Sequence, residues 1–167
     1  MAATYLIDAH NALFRLIERP PRHAEGVRRA VVTRAKDALR RRGEAGARAH
    51  LVFDTAEAGR TLAGTHGRDG DVTWSYAAGS ADEAILRLVR EHAGTGGGRV
   101  AVVTDDRELR GRAGQLGAVA MRLHEWFDAH DRSATPRKAT AGPALSASDF
   151  GLPTDAIDLD ATDPDAL

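Results

Sequence analysis

The sequence of 167 residues contains no cysteine, few aromatic residues (5%) and no long apolar run. The absence of cysteine excludes a disulfide framework, a thiolate zinc site, an iron–sulfur cluster and a cysteine nucleophile. No stretch approaches the roughly 18 apolar residues of a membrane-spanning helix, and the N-terminus lacks the pattern of a secretory signal. We therefore expect a cytoplasmic protein without membrane association, whose chemistry depends on oxygen and nitrogen groups.

Charge is distributed unevenly along the chain. The formal net charge is −1, but residues 1–130 carry +3 and residues 131–167 carry −4. The C-terminal stretch is dominated by Ser, Thr, Pro, Ala, Gly and Asp, a composition that rarely forms a packed core. We predict one domain over residues 1–130 and a disordered acidic tail over residues 131–167.

A basic segment lies in the first third of the chain, where residues 15–48 hold eleven basic side chains against four acidic ones. Such an excess is a candidate footprint for a polyanion. An arginine-rich composition also produces solvated helix faces of this kind, so both interpretations stay open.

Short apolar runs alternate with helical patterns as far as residue 130. The patterns predict strands over residues 4–7, 49–53, 72–76, 100–103 and 119–123, and helices over residues 11–19, 25–42, 80–92, 107–116 and 125–130. Ser80 and Glu83 are spaced as a capping box, and residues 56–70, with four glycines, are expected to form a loop. The alternation predicts an α/β domain with a central, mostly parallel sheet and helices on both faces.

Acidic residues stand at the ends of predicted strands or at a helix start: Asp8, Asp54, Asp82, Glu83, Asp105 and Asp106. The carboxyl ends of parallel strands meet at one edge of a sheet, so the fold would bring these acids together. Each acid alone also fits a turn or helix-cap role, but the set as a whole favours a site. Oxygen ligands without a histidine or cysteine cluster favour Mg²⁺ or Mn²⁺ over Zn²⁺.

Four short motifs, in this order, resemble those of YacP-like NYN domains, a branch of the PIN-like nuclease fold. They are residues 6–11 (LIDAHN), 51–54 (LVFD), 79–85 (GSADEAI) and 102–107 (VVTDDR). The resemblance spans roughly residues 4–128. It departs from the family pattern at two places: Ala9-His10 replaces the usual Gly and aromatic residue, and Asp105 stands where Ser is common.

The resemblance implies a three-layer PIN-like domain that acts as a metal-dependent endoribonuclease. Acids at the matching positions hold one or two Mg²⁺ or Mn²⁺ ions, which position a water for attack on an RNA phosphodiester. Carried over, the principal ligands are Asp8, Asp82 and Asp106, with Asp54 and Glu83 in support. Whether Asp105 or Asp106 faces the metal stays open, and Asn11 would orient Asp8 or contact a phosphate.

The resemblance also assigns a role to the basic segment, which would bind the RNA backbone. The candidate contacts are Arg15, Arg28, Arg29, Arg34, Arg40, Arg41 and Arg107. Trp74 and Tyr76 would stack on unpaired bases if their rings face the cleft. The sequence leaves open whether the target is mRNA, rRNA or tRNA, and whether a ribosome presents it.

The main alternative is a non-catalytic RNA- or ribosome-binding module of the same fold. A phosphoacceptor receiver domain would need an acid pair after its first strand and a lysine after its last, but the lysines are Lys36 and Lys138. A dinucleotide-binding fold is disfavoured because the glycines at 96–98 precede a strand instead of joining a strand to a helix.

Overall fold

The computed structural model describes residues 2–55, 60–96 and 98–128. The predicted acidic tail, residues 131–167, lies outside the described residues. In chain order the elements are β1 (Thr4–Asp8), α1 (Ala9–Leu16), α2 (Ala24–Arg42), β2 (Arg48–Phe53), a 3₁₀ turn (Arg60–Leu62), β3 (His66–Asp69), β4 (Val72–Tyr76), α3 (Ala81–Gly94), β5 (Val100–Val103), α4 (Arg107–Gln115), β6 (Val119–Met121) and α5 (Leu123–Phe127). None of the helices in this part of the chain is long and apolar enough to cross a membrane.

A six-stranded sheet in the order β3-β4-β2-β1-β5-β6 forms the centre of the domain. Every neighbouring pair is parallel except β3 with β4, which is an antiparallel hairpin at the edge. The central strands β1 and β5 are mostly apolar and buried, as expected of strands covered on both faces. The predicted α/β fold with a mostly parallel sheet is confirmed.

Helices cover both faces of this sheet because successive strand residues point to opposite sides. Tyr5 and Ile7 belong to the core beneath α1, α2 and α5. Leu6 and Val102 belong to the core on the other face, which α3 and α4 cover. The result is the predicted three-layer arrangement.

The hairpin strand β3 is the main difference from the sequence-based prediction, which placed a loop over residues 56–70. Its sequence, HGRD, has no apolar alternation, and its residues are mostly exposed. It pairs with β4 through backbone hydrogen bonds, with Gly67 opposite Trp74. A pattern-based prediction misses such a strand because its side chains contribute little to the core.

Three other boundaries differ for reasons of local hydrogen bonding. The first helix begins at Ala9, not at residue 11, because the Asp8 side chain caps it. The last helix begins at Leu123, whose backbone N–H donates to Asp105 Oδ1 at 3.1 Å, so β6 ends two residues earlier than expected.

The contact between Gly67 and Trp74 yields a stability prediction. A Cβ atom at position 67 would lie 2.3 Å from Cζ2 of the Trp74 ring. We expect Gly67→Ala to lower the free energy of unfolding by about 1–3 kcal/mol, as overpacking does elsewhere. Denaturant unfolding followed by circular dichroism measures this change.

The matched control is Gly111→Ala in α4, where a Cβ atom meets nothing within 4 Å. Alanine is the better helix former, so this variant should gain about 0.5–1 kcal/mol. A Gly67→Ala protein that unfolds at the wild-type denaturant concentration would contradict the described packing of Trp74.

Candidate active site

The carboxyl edge of the sheet between β1 and β5 is the place where the chain changes direction. From β1 the chain adds β2 and β4 on one side, and it then returns to place β5 on the other side. In open α/β sheets, such a switch point leaves a crevice beyond the strand ends in which functional groups collect. Asp8 ends β1 here, and Thr104, Asp105 and Asp106 follow β5.

Asp8 is a buried carboxylate, with 6% of its surface exposed. Its Oδ1 accepts from the Asn11 backbone N–H at 3.2 Å, which caps α1. Its Oδ2 accepts from Asn11 Nδ2 at 3.3 Å and from Thr104 Oγ1 at 3.2 Å. These donors fix the orientation of the carboxylate and compensate for its burial. Of the two roles expected of Asn11, the structure contains the contact that orients Asp8.

Thr104 is the site residue that sequence reasoning did not single out. Its side chain is fully buried, and its hydroxyl donates to Asp8. The same Oγ1 accepts from Asn11 Nδ2 at 3.3 Å and from the Asp106 backbone N–H at 3.1 Å. Thr104 therefore links the end of β1 to the start of α4. The sequence feature that could have identified Thr104 is its position directly between a buried strand and two acidic residues.

Asp105 and Asp106 are adjacent in sequence, but their carboxylates contact different elements. Asp106 Oδ1 accepts from the Leu109 backbone N–H at 2.9 Å and so caps α4. Asp105 Oδ1 accepts a hydrogen bond from the Leu123 N–H at the start of α5. The other oxygen of this carboxylate, Oδ2, lies 3.5 Å from Arg15 Nε of α1.

Asp82 lies in the first turn of α3, where the other acids of this edge influence its pKa. Burial raises the pKa of its carboxyl group, and the negative charges of Asp8, Asp106 and Asp54 raise it further, while Arg112 opposes them. Raised proton affinity is the expected result of several carboxylates facing one crevice. Asp106, unlike Asp105, is among the charges that raise this pKa.

Asp54 and Glu83 are held by other parts of the site. Asp54 Oδ2 accepts from the Ala81 backbone N–H at 3.4 Å, at the start of α3. Ser80 makes no side-chain capping bond there, so the predicted capping box is wrong. Glu83 instead pairs with Arg112 of α4, with Oε1 and Nη2 2.7 Å apart.

The predicted RNA-binding arginines lie at different places. Arg15 lies beside Asp105, and Arg107 follows Asp106 at the start of α4, so both belong to the acidic edge. The other five candidates lie along α2, whose 19 residues span about 28 Å. Its far end, with Arg40 and Arg41, leads into the start of β2, at the opposite edge of the sheet.

Most of the arginines on α2 have partners within the protein. Arg29 pairs with Glu25, Arg40 pairs with Asp37, and Arg41 donates to the Phe127 carbonyl oxygen at 2.7 Å. Arg28 lies over the Trp74 ring, 5.3 Å from its centroid, and Arg34 is exposed in the middle of the helix. The structure thus spreads this set along the helix and does not gather it at the acids.

The two aromatic candidates for base stacking, Trp74 and Tyr76, are both engaged inside the domain. Tyr76 is 3% exposed, and its ring stacks on Phe53 with the centroids 5.1 Å apart. Trp74 is partly buried between contacts with Gly67 and Arg28. Each ring therefore already has a partner within the domain.

By donor type, though not by spacing, the acids at this edge suit a hard divalent cation. The acids at this edge offer carboxylate oxygens, the ligands that Mg²⁺ and Mn²⁺ prefer. Burial, and after it the negative charges of Asp8 and Asp106, raise the pKa of Asp82, and a cation at this edge would offset both effects. Within residues 2–55, 60–96 and 98–128, no group of three or more acidic and histidine side chains is yet arranged tightly enough to hold an ion.

Two of the solved structures with a similar fold are of a bacterial protein. A crystal structure of a mutant of Rae1 (YacP) from Bacillus subtilis matches with a TM-score of 0.57 and 17% identity, covering 77% of this chain and 74% of that chain. A second crystal structure of Rae1 (YacP) matches with a TM-score of 0.51 and 17% identity, covering 73% and 70%. At this identity the likeness shows the fold alone. No curated protein matches the sequence.

The family comparison covers most of the chain. The family model described as the YacP-like NYN domain matches residues 6–142, which include every acid of the site. NYN domains have a PIN-like ribonuclease fold, which supports a nuclease function directed at RNA. By its sequence match and its fold, this chain belongs to the YacP-like NYN domain family.

Proposed function

We propose that this protein is an endoribonuclease that hydrolyses RNA phosphodiester bonds with Mg²⁺ or Mn²⁺ at the acidic edge of its sheet. The observation that carries the proposal is that Asp8 after β1 and Asp106 after β5 lie near enough to Asp82 of α3 for their charges to add to the effect of burial on its pKa, so three separate segments bring carboxylates to one edge. Membership of a ribonuclease family supports the reaction class.

Asp8, Asp82 and Asp106 would hold the cation, with Asp54 and Glu83 in support. A bound ion supplies a hydroxide nucleophile at neutral pH and neutralises charge on the phosphate oxygens. We choose Asp106 over Asp105 because the charge of Asp106 helps to raise the pKa of Asp82, whereas Asp105 faces Arg15.

The remaining residues of the site position these acids. Asn11 and Thr104 hold Asp8 in one orientation through bonds to Oδ2. Asp54 fixes the first turn of α3 through the Ala81 N–H, and so places Asp82 over the crevice. Such outer partners typically change metal affinity or activity by about 10–100-fold when they are removed.

The substrate would approach along the basic side of this edge. Arg15 and Arg107 are the arginines next to the acids, and we assign them to the RNA backbone on either side of the cleaved bond. An exposed ion pair such as Arg15 with Asp105 contributes little energy, so a phosphate can compete for the guanidinium. mRNA, rRNA and tRNA, free or presented by a ribosome, are the substrates to compare.

The proposal is tested by cleavage of a mixed pool of single-stranded and structured RNA in Mn²⁺, in Mg²⁺ and in chelator. We expect cleavage with either metal and none in chelator. Asp8→Asn and Asp82→Asn should each slow cleavage by more than about 100-fold, because a ligand matters more than the outer partners around it. Asparagine still caps α1 at position 8, so the fold should persist.

Asp105→Asn is the matched control, since it makes the same change one residue from Asp106 and keeps the acceptor for Leu123. It should cleave within a few-fold of the wild-type rate. RNA binding without metal-dependent cleavage in the wild-type protein would favour the non-catalytic module instead.

The raised pKa of Asp82 makes a separate prediction about stability without metal. A carboxyl group with a raised pKa in the folded state lowers the free energy of unfolding once the group ionises. This loss of stability sets in as the pH rises above about 4, the ordinary pKa of an aspartate side chain. In chelator at neutral pH, Asp82→Asn should melt at the same temperature as the wild type or higher. The difference should shrink as the pH falls toward 4.

Adding Mn²⁺ at neutral pH should then reverse the order, because an ion that binds only the folded wild type stabilises it by mass action. Thermal melts over pH and Mn²⁺ concentration measure both effects. A variant that melts well below the wild type in chelator would show that Asp82 is structural.

A pair of arginine substitutions tests the path of the RNA. Arg15→Ala should weaken binding of single-stranded RNA and reduce the slope of log affinity against log salt by about 1, the contribution of one phosphate contact. Arg40→Ala removes the same charge at the far end of α2 and should leave both quantities unchanged. Fluorescence anisotropy in chelator measures them without cleavage, and equal losses in the two variants would contradict this path.

A further inference from the structure

A cavity of about 230 Å³ opens beside the acidic edge. It lies between α1, the connection from α1 to α2, and the ends of β2 and β4. Its wall includes His10, Phe14, Pro21, His23, Asp54 and Tyr76. Asp54 also bonds the start of α3 and acts on Asp82, so the cavity and the acidic crevice share a wall.

Phe14 is an exposed aromatic residue in the wall of this cavity. It is 64% exposed, and Val119 is the one other large apolar side chain that is exposed in the part of the chain described. The His10 ring meets Phe14 edge-on, with the centroids 4.6 Å apart and the planes at 76°. This contact holds the Phe14 ring at the cavity wall, where a second flat ring can stack on it.

The cavity wall also carries polar groups. Tyr76 belongs to the wall, and its buried hydroxyl lies near the Arg28 guanidinium. His23 Nδ1 accepts from the Gly26 N–H at 3.0 Å, which leaves Nε2 as the protonated nitrogen, and Arg22 adds a positive charge.

The size of the cavity limits what can enter. Pockets for drug-sized ligands measure roughly 300–1,000 Å³, so this cavity accommodates one flat ring system and not a whole nucleotide. The wall combines aromatic rings, hydrogen-bonding groups and an arginine, which are the features that bind unpaired bases in RNA.

We propose that this cavity binds one unpaired nucleobase of the RNA substrate, stacked on Phe14, beside the phosphodiester bond that is cleaved. The inference rests on the proposed function and adds a preference for single-stranded over double-stranded RNA. A base within a duplex is stacked and paired, so it enters the cavity only after unpairing, which costs a few kcal/mol.

Binding of two RNAs tests the base site apart from catalysis. A short fluorescent RNA of mixed sequence without self-pairing is titrated with the full chain in chelator, alone and as a duplex with its complement. Phe14→Ala should bind the single strand about fivefold or more weakly, as expected when the stacking of one base is lost, and should bind the duplex like the wild type. Phe14→Tyr keeps a ring and should bind both RNAs like the wild type.

Val119→Ala is the matched control, because it trims the other exposed apolar side chain, on β6 and away from this cavity. It should not change either affinity. Because Phe14 is exposed, its variants should fold, and circular dichroism with thermal melting checks this.

The outcomes separate the two proposals. If the wild type cleaves and binds RNA, but Phe14→Ala binds the single strand equally well, the base site is wrong and the nuclease stands. If Phe14→Ala weakens single strand and duplex alike, the contact is with the backbone and the base site is also wrong. If the wild type neither binds nor cleaves RNA, the base site and the proposed function fail together.

Discussion

Parallel pairing of β1 with both β2 and β5 is the constraint on which the site depends. The register sets Asp8 opposite Val52 on one side and Ile7 opposite Val103 on the other, so Asp8, Asp54 and Thr104 leave the sheet at the same edge. A slip of one residue would turn every side chain of β1 to the opposite face and place Asp8 among apolar helices. The hydrogen bonds from Asn11 and Thr104 to Asp8 oppose that slip, because it would break them.

The acids of this edge also complete the fold. Asp8, Asp54, Asp105 and Asp106 each accept a backbone N–H at the start of a helix, where the helix dipole favours negative charge. A structural role for these acids is therefore compatible with the proposed role in holding a cation. Burial and the neighbouring carboxylates raise the pKa of Asp82, so the fold disfavours its charged form. A nearby cation would stabilise that charged form.

Much of this arrangement could be predicted from the sequence. The apolar runs at residues 4–7, 49–53, 72–76 and 100–103 indicate strands by local composition, and an acid directly after a strand marks the functional edge. The edge strand β3 was missed because its side chains have no apolar pattern. The role of Thr104 depends on a bond to a residue 96 positions away, and the separation of Asp105 from Asp106 depends on which helix each one contacts. Local patterns contain no information about such long-range hydrogen bonds.

The central claim is that the carboxylates at the β1–β5 switch point form one cation site, and the most direct test is an anomalous difference map from crystals grown with Mn²⁺. The account predicts a peak about 2.1 Å from carboxylate oxygens of Asp8, Asp82 and Asp106, and no such peak in crystals of Asp82→Asn. Ordered Mn²⁺ elsewhere on the protein, with none among these three residues, would contradict it.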